Sequence, residues 1–358
     1  MESTESRVDI HKLLQTMVDN NASDLHLSAG APPALRINGS IRRIKSEELT
    51  DRDCHQIAYS ILNERQKKRF EIEREIDLSF NWRNKCRFRA NFFWQRGSIA
   101  GALRQIPSEV QTLDELGVSE GVRSLVDKKQ GLIFVTGPTG SGKSTTLASI
   151  IDAINRKRRG HIITIEDPIE FLHGHQNCIV NQREVGSDTA SFSEALRYVL
   201  RQDPDVVLIG EIRDLASMEA ALRISETGHL ALATMHTNSA IQTIHRAIDF
   251  FPPEHQASVR HQLSFVLEGI ISQRLLPGAD RRSRVMASEL LLPTAAIRNL
   301  IREEKTHQIY SLMQSGQKTH KMTTLNQCLA SLVESGKITE EVAIQSSYEK
   351  NEILSMLG

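Results

Sequence analysis

The sequence predicts an α/β protein in two parts: a small α+β domain, then a larger domain built on a mainly parallel sheet and ending in a helical tail. Three observations carry this. The 358 residues allow about two domains at the usual ~150 residues each, with a core in both. The amino-terminal part alternates apolar and polar residues in short runs between turn signals. From about residue 119, β-branched runs (GLIFVT, HIITIE, DVVLIGE and HLALATMH) alternate with longer helical patterns, as parallel strands flanked by helices do.

Taken in order, Ile10, Leu13, Leu14, Met17 and Val18 follow the spacing of an amphipathic helix. Leu25 and Leu27, then Leu35 and Ile37, alternate as strands; the chain turns at Asn38-Gly39 and resumes with Ile41 and Ile44, which is a hairpin pattern. Thr50 and Asp53 suit the cap of a helix running to about Leu62. Strand-like runs at 76–80, 86–93 and 99–106 complete a first domain over 1–106. Residues 107–118, opening on Pro107, read as a linker. The second domain then spans 119–358, with the helical tail from about 293.

Composition narrows the function classes. Acidic and basic residues number 44 each, so no bulk charge points to nucleic acid as a partner. No stretch approaches the ~18 consecutive apolar residues of a membrane span, and Met1 to Arg7 is polar, without the apolar centre of a signal peptide. A cytoplasmic location is the expectation. Cys54, Cys86, Cys178 and Cys328 are scattered with no Cys-x-x-Cys pair, and read as structural thiols.

Gly137-Pro138-Thr139-Gly140-Ser141-Gly142-Lys143-Ser144 fits G-x-x-x-x-G-K-[ST], after the apolar run Leu132 to Thr136 and before the helical run opening at Thr145. In that context the glycines let the backbone curl so that its N–H groups face phosphate oxygens, and the helix presents its positive end. Lys143 then bridges the β- and γ-phosphates of ATP, and Ser144 holds Mg²⁺. Thr145 completes the expected nucleotide-binding set. Asp205 to Glu211 reads as a buried strand with an acid at its carboxyl end, where open α/β sheets place ligands. Gly210-Glu211 stands where an aspartate is usual, so Glu211 is expected to hold the metal's water shell or polarise the attacking water.

Between these, Glu166, Asp167 and Glu170 gather at the end of the next strand, a costly arrangement unless a cation or a functional proton offsets it. Glu166 or Glu170 suits the base that orients water; surface acids around a proline turn are the plainer alternative. His229 and His236 bracket the strand Leu230 to Met235, and His236 falls on the rim of the phosphates. Arg87, Arg89, Arg96 and Arg104 sit on the last strands of the first domain, either as a solvated basic face or, in a ring, as side chains reaching a neighbour's nucleotide.

In sequence order, the P-loop, TIEDPIEF (164–171), NQREVG (181–186), ALRYVLRQDPDVVLIGEIRD (195–214) and ETGHLALATMHTNSA (226–240) resemble the secretion ATPase superfamily. Within it they resemble the PilT-type ATPases of type IV pilus retraction and twitching motility. The likeness runs from the ASDLHLS segment (22–28) to AIRNLIRE (296–303). It implies a PAS-like domain followed by a RecA-like domain, in a homohexamer that uses ATP with Mg²⁺ and binds nucleotide at subunit boundaries. It places the family's acidic box on Glu166 to Glu170, its Walker B glutamate on Glu211, its histidine box on His229 to His236, and its arginine fingers on Arg89 and Arg104. The implied partners are the inner-membrane platform protein of the pilus machine and a paralogous retraction ATPase, with no nucleic acid. The tail block, and the lack of room for a further amino-terminal domain or a four-cysteine metal site, point to retraction rather than extension or secretion. An accessory ATPase of the PilU type and a RecA-like nucleic-acid translocase are the alternatives.

Overall fold

The computed structural model describes residues 8–37, 39–83, 86–107 and 109–358. Met1 to Arg7 and Asn38, read above as a polar amino terminus and a turn residue, lie outside the described residues. The chain divides into two compact units, Met1–Glu109 and Val110–Gly358.

In the first unit six strands form one antiparallel sheet: β1 (Asp24–Leu27), β2 (Ala34–Ile37), β3 (Ser40–Arg43), β4 (Glu75–Trp82), β5 (Cys86–Gln95) and β6 (Ser98–Ile106), in the order β3-β2-β1-β6-β5-β4. One face buries Leu25, Phe88, Ala90, Phe92 and Leu103 with residues of the helices Ile10–Asp19, Asp51–Ile61 and Glu64–Glu73. The second of these helices starts as its sequence predicts. Thr50 Oγ1 accepts from the Asp53 N–H at 3.2 Å while Asp53 Oδ2 accepts from the Thr50 N–H at 2.8 Å, a reciprocal cap. The third helix buries only Phe70, so it carries no apolar stripe by which a sequence pattern could reveal it. Arg96 lies in the turn between β5 and β6, not on a strand.

The second unit holds a seven-stranded sheet: β7 (Gly131–Thr136), β8 (His161–Glu166), β9 (Ile179–Glu184), β10 (Val206–Ile209), β11 (Leu230–Met235), β12 (Leu267–Pro277) and β13 (Arg284–Leu291). The order is β13-β12-β7-β11-β10-β8-β9, parallel throughout except for β13, which runs antiparallel to β12. Both faces are covered, as a parallel sheet requires. Along β7, Leu132 and Phe134 enter one core with residues of the helices Leu215–Glu226, Ala240–Asp249 and Pro253–Val266. Ile133 and Val135 enter the other, with Leu147, Ile150, Ile151 and Ile154 of the helix Lys143–Lys157.

Residues 110–118, read above as linker, belong to this unit, where Leu113 and Val118 join the second of these cores. The tail is helical from Ala295 to Leu357, with one isolated bridge between Leu290 and Thr323. No helix among the described residues is long and apolar enough to cross a membrane.

Candidate active site

The strand order sets four carboxyl ends side by side: β7, which delivers the P-loop, then β11, β10 and β8. The loop after β7 requires glycine at its first position. Gly137 has φ 143°, and a Cβ there would stand 2.2 Å from the Gln273 carbonyl oxygen. Gly142, at φ 88°, turns the chain into the helix Lys143–Lys157, whose first turn receives no side-chain cap. Its leading N–H groups therefore stay available to an anion.

Two further features fit a phosphate. Ser141 Oγ, a hydroxyl able to donate, is buried without a hydrogen-bond partner, and the Ser141 carbonyl is held by Gln273 Nε2, which donates to it at 2.8 Å. Lys143 Nζ meanwhile donates to the loop's own carbonyls, Gly137 at 2.9 Å and Pro138 at 3.1 Å. Burial draws that ammonium below its usual range, against the opposing pull of Glu211 and Glu170.

Thr139 and Gly140 are exposed at the loop's tip, while Ser144 and Thr145, half-buried, open the helix. An oxygen donor set of the Ser144 hydroxyl and the Glu211 carboxylate suits Mg²⁺, a hard cation that takes few protein ligands and completes its shell with phosphate oxygens and water.

Glu211 lies two residues past the end of β10, after Gly210, and Thr234 of β11 fixes it from one side. The Thr234 hydroxyl donates to the Gly210 carbonyl, and the Ile212 N–H donates to the Thr234 carbonyl at 3.0 Å. His236, one residue past β11, brings Nε2 to 3.1 Å from Glu211 Oε1, while Arg213 Nη2 lies 2.7 Å from Oε2. Burial pushes the Glu211 carboxyl up, but Arg213 and His236 outweigh it and hold the group below the usual carboxylate range.

Glu166 ends β8. Its Oε1 accepts from Thr164 Oγ1 at 2.6 Å and lies 3.3 Å from Gln182 Nε2. Burial is the largest influence on this carboxyl and raises it, against those hydrogen bonds and one from the Glu170 N–H. Glu170 and Asp167 are exposed.

Not every predicted residue joins this rim. His229 opens β11 at the opposite end from His236, and the six residues Leu230–Met235 at about 3.3 Å each put roughly 20 Å between them. There His229 Nδ1 meets Thr227 Oγ1 at 3.0 Å, and its carbonyl accepts from the Gly131 N–H. Arg89 and Arg104 belong to the first unit and face each other directly across β5 and β6. Arg104 Nε is 2.8 Å from Asp24 Oδ1, and Arg89 Nε is 3.6 Å from Asp77 Oδ1.

The family of type II/IV secretion system proteins matches residues 3–352 of the sequence. The chain belongs to that family. It is 49% identical to the type IV pilus retraction ATPase PilT of Pseudomonas aeruginosa, over 94% of this chain and 97% of that one. It is 39% identical to the type IV pilus ATPase PilU of the same organism, over 98% of this chain and 91% of that one. Among solved structures, the pilus retraction motor PilT with bound ADP superimposes with a TM-score of 0.91 at 52% identity, covering 97% of this chain and 99% of the other. The mixed α/β fold is accordingly a RecA-like ATPase domain preceded by a PAS-like domain and ended by a helical tail.

For a secretion ATPase, sequence reasoning passed over several residues that shape this site. Arg213 lay inside a quoted block, but only the fold shows that it folds back onto Glu211. Thr164 and Gln182 hold Glu166 from two strands. Gln273 sits on β12, a strand the sequence reading missed, and a neutral amide outside any motif carries no signal of its own.

Proposed function

We propose that this chain hydrolyses ATP to drive retraction of a type IV pilus, working as a homohexameric ring. The observation that carries the reading is the convergence of the P-loop, the Glu211–His236 pair and Glu166 on neighbouring carboxyl ends of one sheet. Residues 137–145 hold the phosphates, Lys143 exchanging its loop carbonyls for phosphate oxygens. Mg²⁺, when bound, would neutralise charge on those oxygens, and Ser144 and Glu211 would hold it.

Glu166 takes the proton of the attacking water as the water oxygen bonds to the γ-phosphorus and the bond to the β-phosphate oxygen breaks, releasing ADP and phosphate. A carboxyl raised by burial suits a base better than the exposed Glu170 does. His236 reads the phosphate state through Glu211. In the ring, Arg89 and Arg104 of one subunit face the nucleotide of the next, and hydrolysis moves the PAS-like domain of one subunit against the RecA-like domain of its neighbour. The ring works at the cytoplasmic face of the inner membrane, on the platform protein of the pilus machine, alongside a paralogous retraction ATPase.

An accessory role of the PilU kind is the second reading, favoured by 39% identity over 98% of this chain; the 49% identity to PilT supports the first. Expression in a strain lacking its own retraction ATPase tests the choice. Restored twitching supports the retraction motor. No restoration there, with restoration in a strain that keeps its retraction ATPase and lacks only its accessory one, moves the chain to the accessory role.

A further inference from the structure

We propose that Gln182 is the positioning residue for Glu166, and that β9 acts through it as a clamp on the acidic segment that follows β8. The proposal rests on the reading of Glu166 as the base. Residues 181–186, NQREVG, carry the family resemblance, yet the catalytic scheme above gives them no task. Among the described residues β9 is an edge strand pairing only with β8, in the register Thr164↔Gln182 and Glu166↔Glu184. Gln182 and Glu184, two residues apart, share a face.

Both reach the segment beyond Glu166. Gln182 Nε2 donates to the Phe171 carbonyl at 2.9 Å and lies 3.3 Å from Glu166 Oε1, while its Oε1 accepts from the His173 N–H at 2.8 Å. The buried Glu184 accepts from the Ile169 N–H at 3.1 Å. Two side-chain donors, Thr164 from β8 and Gln182 from β9, thus converge on one oxygen of Glu166 and fix the rotation of its carboxyl group.

A primary amide is the group that does all of this at once, because it carries a donor for the acid and an acceptor for the loop. A glutamate there keeps the acceptor but sets a second carboxylate against Glu166; a leucine keeps the bulk and loses every bond. Catalytic geometry is steep: a misplacement near 1 Å costs up to about a hundredfold in rate. Binding of the nucleotide, held by the P-loop, does not depend on this contact.

The test compares Gln182→Leu, Gln182→Glu and Thr164→Val with the wild-type chain for kcat, KM for ATP, affinity for ADP and melting temperature, and includes Thr164→Ser as the variant that keeps a hydroxyl. The expected result is kcat lowered about tenfold to a hundredfold in the first three, with KM, ADP affinity and melting temperature held, and kcat recovered in Thr164→Ser. Wild-type kcat in both Gln182 variants overturns the proposal. So does a parallel loss of ADP affinity and melting temperature in both, which assigns β9 a structural task only. Glu166→Gln separates the two layers of argument. If that variant hydrolyses ATP normally, the reading of the base fails; if it is inactive while both Gln182 variants are normal, only the clamp fails.

Discussion

Glu211 and His236, placed by two neighbouring parallel strands, meet 3.1 Å apart beside the P-loop, and Arg213 occupies the other oxygen of the same carboxylate. This pairing sets the charge state of Glu211. Burial alone raises Glu211; Arg213 and His236 lower it by more, so it stays ionised well into acid. Arg213→Gln removes the stronger partner and lets burial act. The Mg²⁺ affinity of the ADP-bound chain, which does not depend on the Glu166 base, is then expected to fall off at higher pH than in wild type. A Mg²⁺ affinity profile unchanged by the substitution contradicts the geometry.

Asp24 and Arg104 make the corresponding pair in the first unit. Burial raises the Asp24 carboxyl, and the Arg104 and Ser23 hydrogen bonds more than offset it, leaving the group depressed. A depressed acid stabilises the fold fully above its unfolded value and loses that contribution as pH falls through the folded value. Denaturation of wild type and Asp24→Asn should therefore differ near neutrality and converge in acid.

Arg104 is 69% exposed, so Arg104→Gln is expected to cost no more than about 1 kcal/mol of stability. If it faces a neighbour's nucleotide, hydrolysis by the assembled ring falls far more than stability does. Equal small losses in both would leave Arg104 with a structural task only.

Gly137→Ala puts a Cβ 2.2 Å from the backbone oxygen of Gln273, an atom that cannot turn aside as a side chain can. The positive φ of 143° adds strain of its own. The loop must shift away from β12, and calorimetric titration with ADP should show binding lost or weakened at least tenfold, by roughly 1.4 kcal/mol or more. Tight ADP binding by this variant would mean that the loop does not need its present seat on β12.

Much of this was legible because the informative residues are contiguous. The P-loop residues 137–144 form one motif, and the β-branched runs of β7, β8, β10 and β11 announce buried parallel strands. What stayed hidden depends on distant partners or lacks contrast. The helix Glu64–Glu73 buries one residue, and β12 follows the helix Pro253–Val266 without a break, so the apolar run around Leu267 reads equally as helix or strand. Gln182 and Gln273 act through neutral amides whose targets, Glu166 and the Ser141 carbonyl, become neighbours only when the sheet forms. His229 and His236, grouped in one box by the resemblance, stand at opposite ends of a six-residue strand, as their bracketing of it in the sequence implies, roughly 20 Å apart.

The most direct measurement is steady-state ATP hydrolysis by the purified chain, with and without duplex DNA, beside Lys143→Ala and Glu211→Gln. The structure predicts hydrolysis that needs no DNA, is lost in both variants, and leaves ADP binding intact in Glu211→Gln. Hydrolysis that survives both substitutions, or that appears only with DNA, would contradict the motor reading.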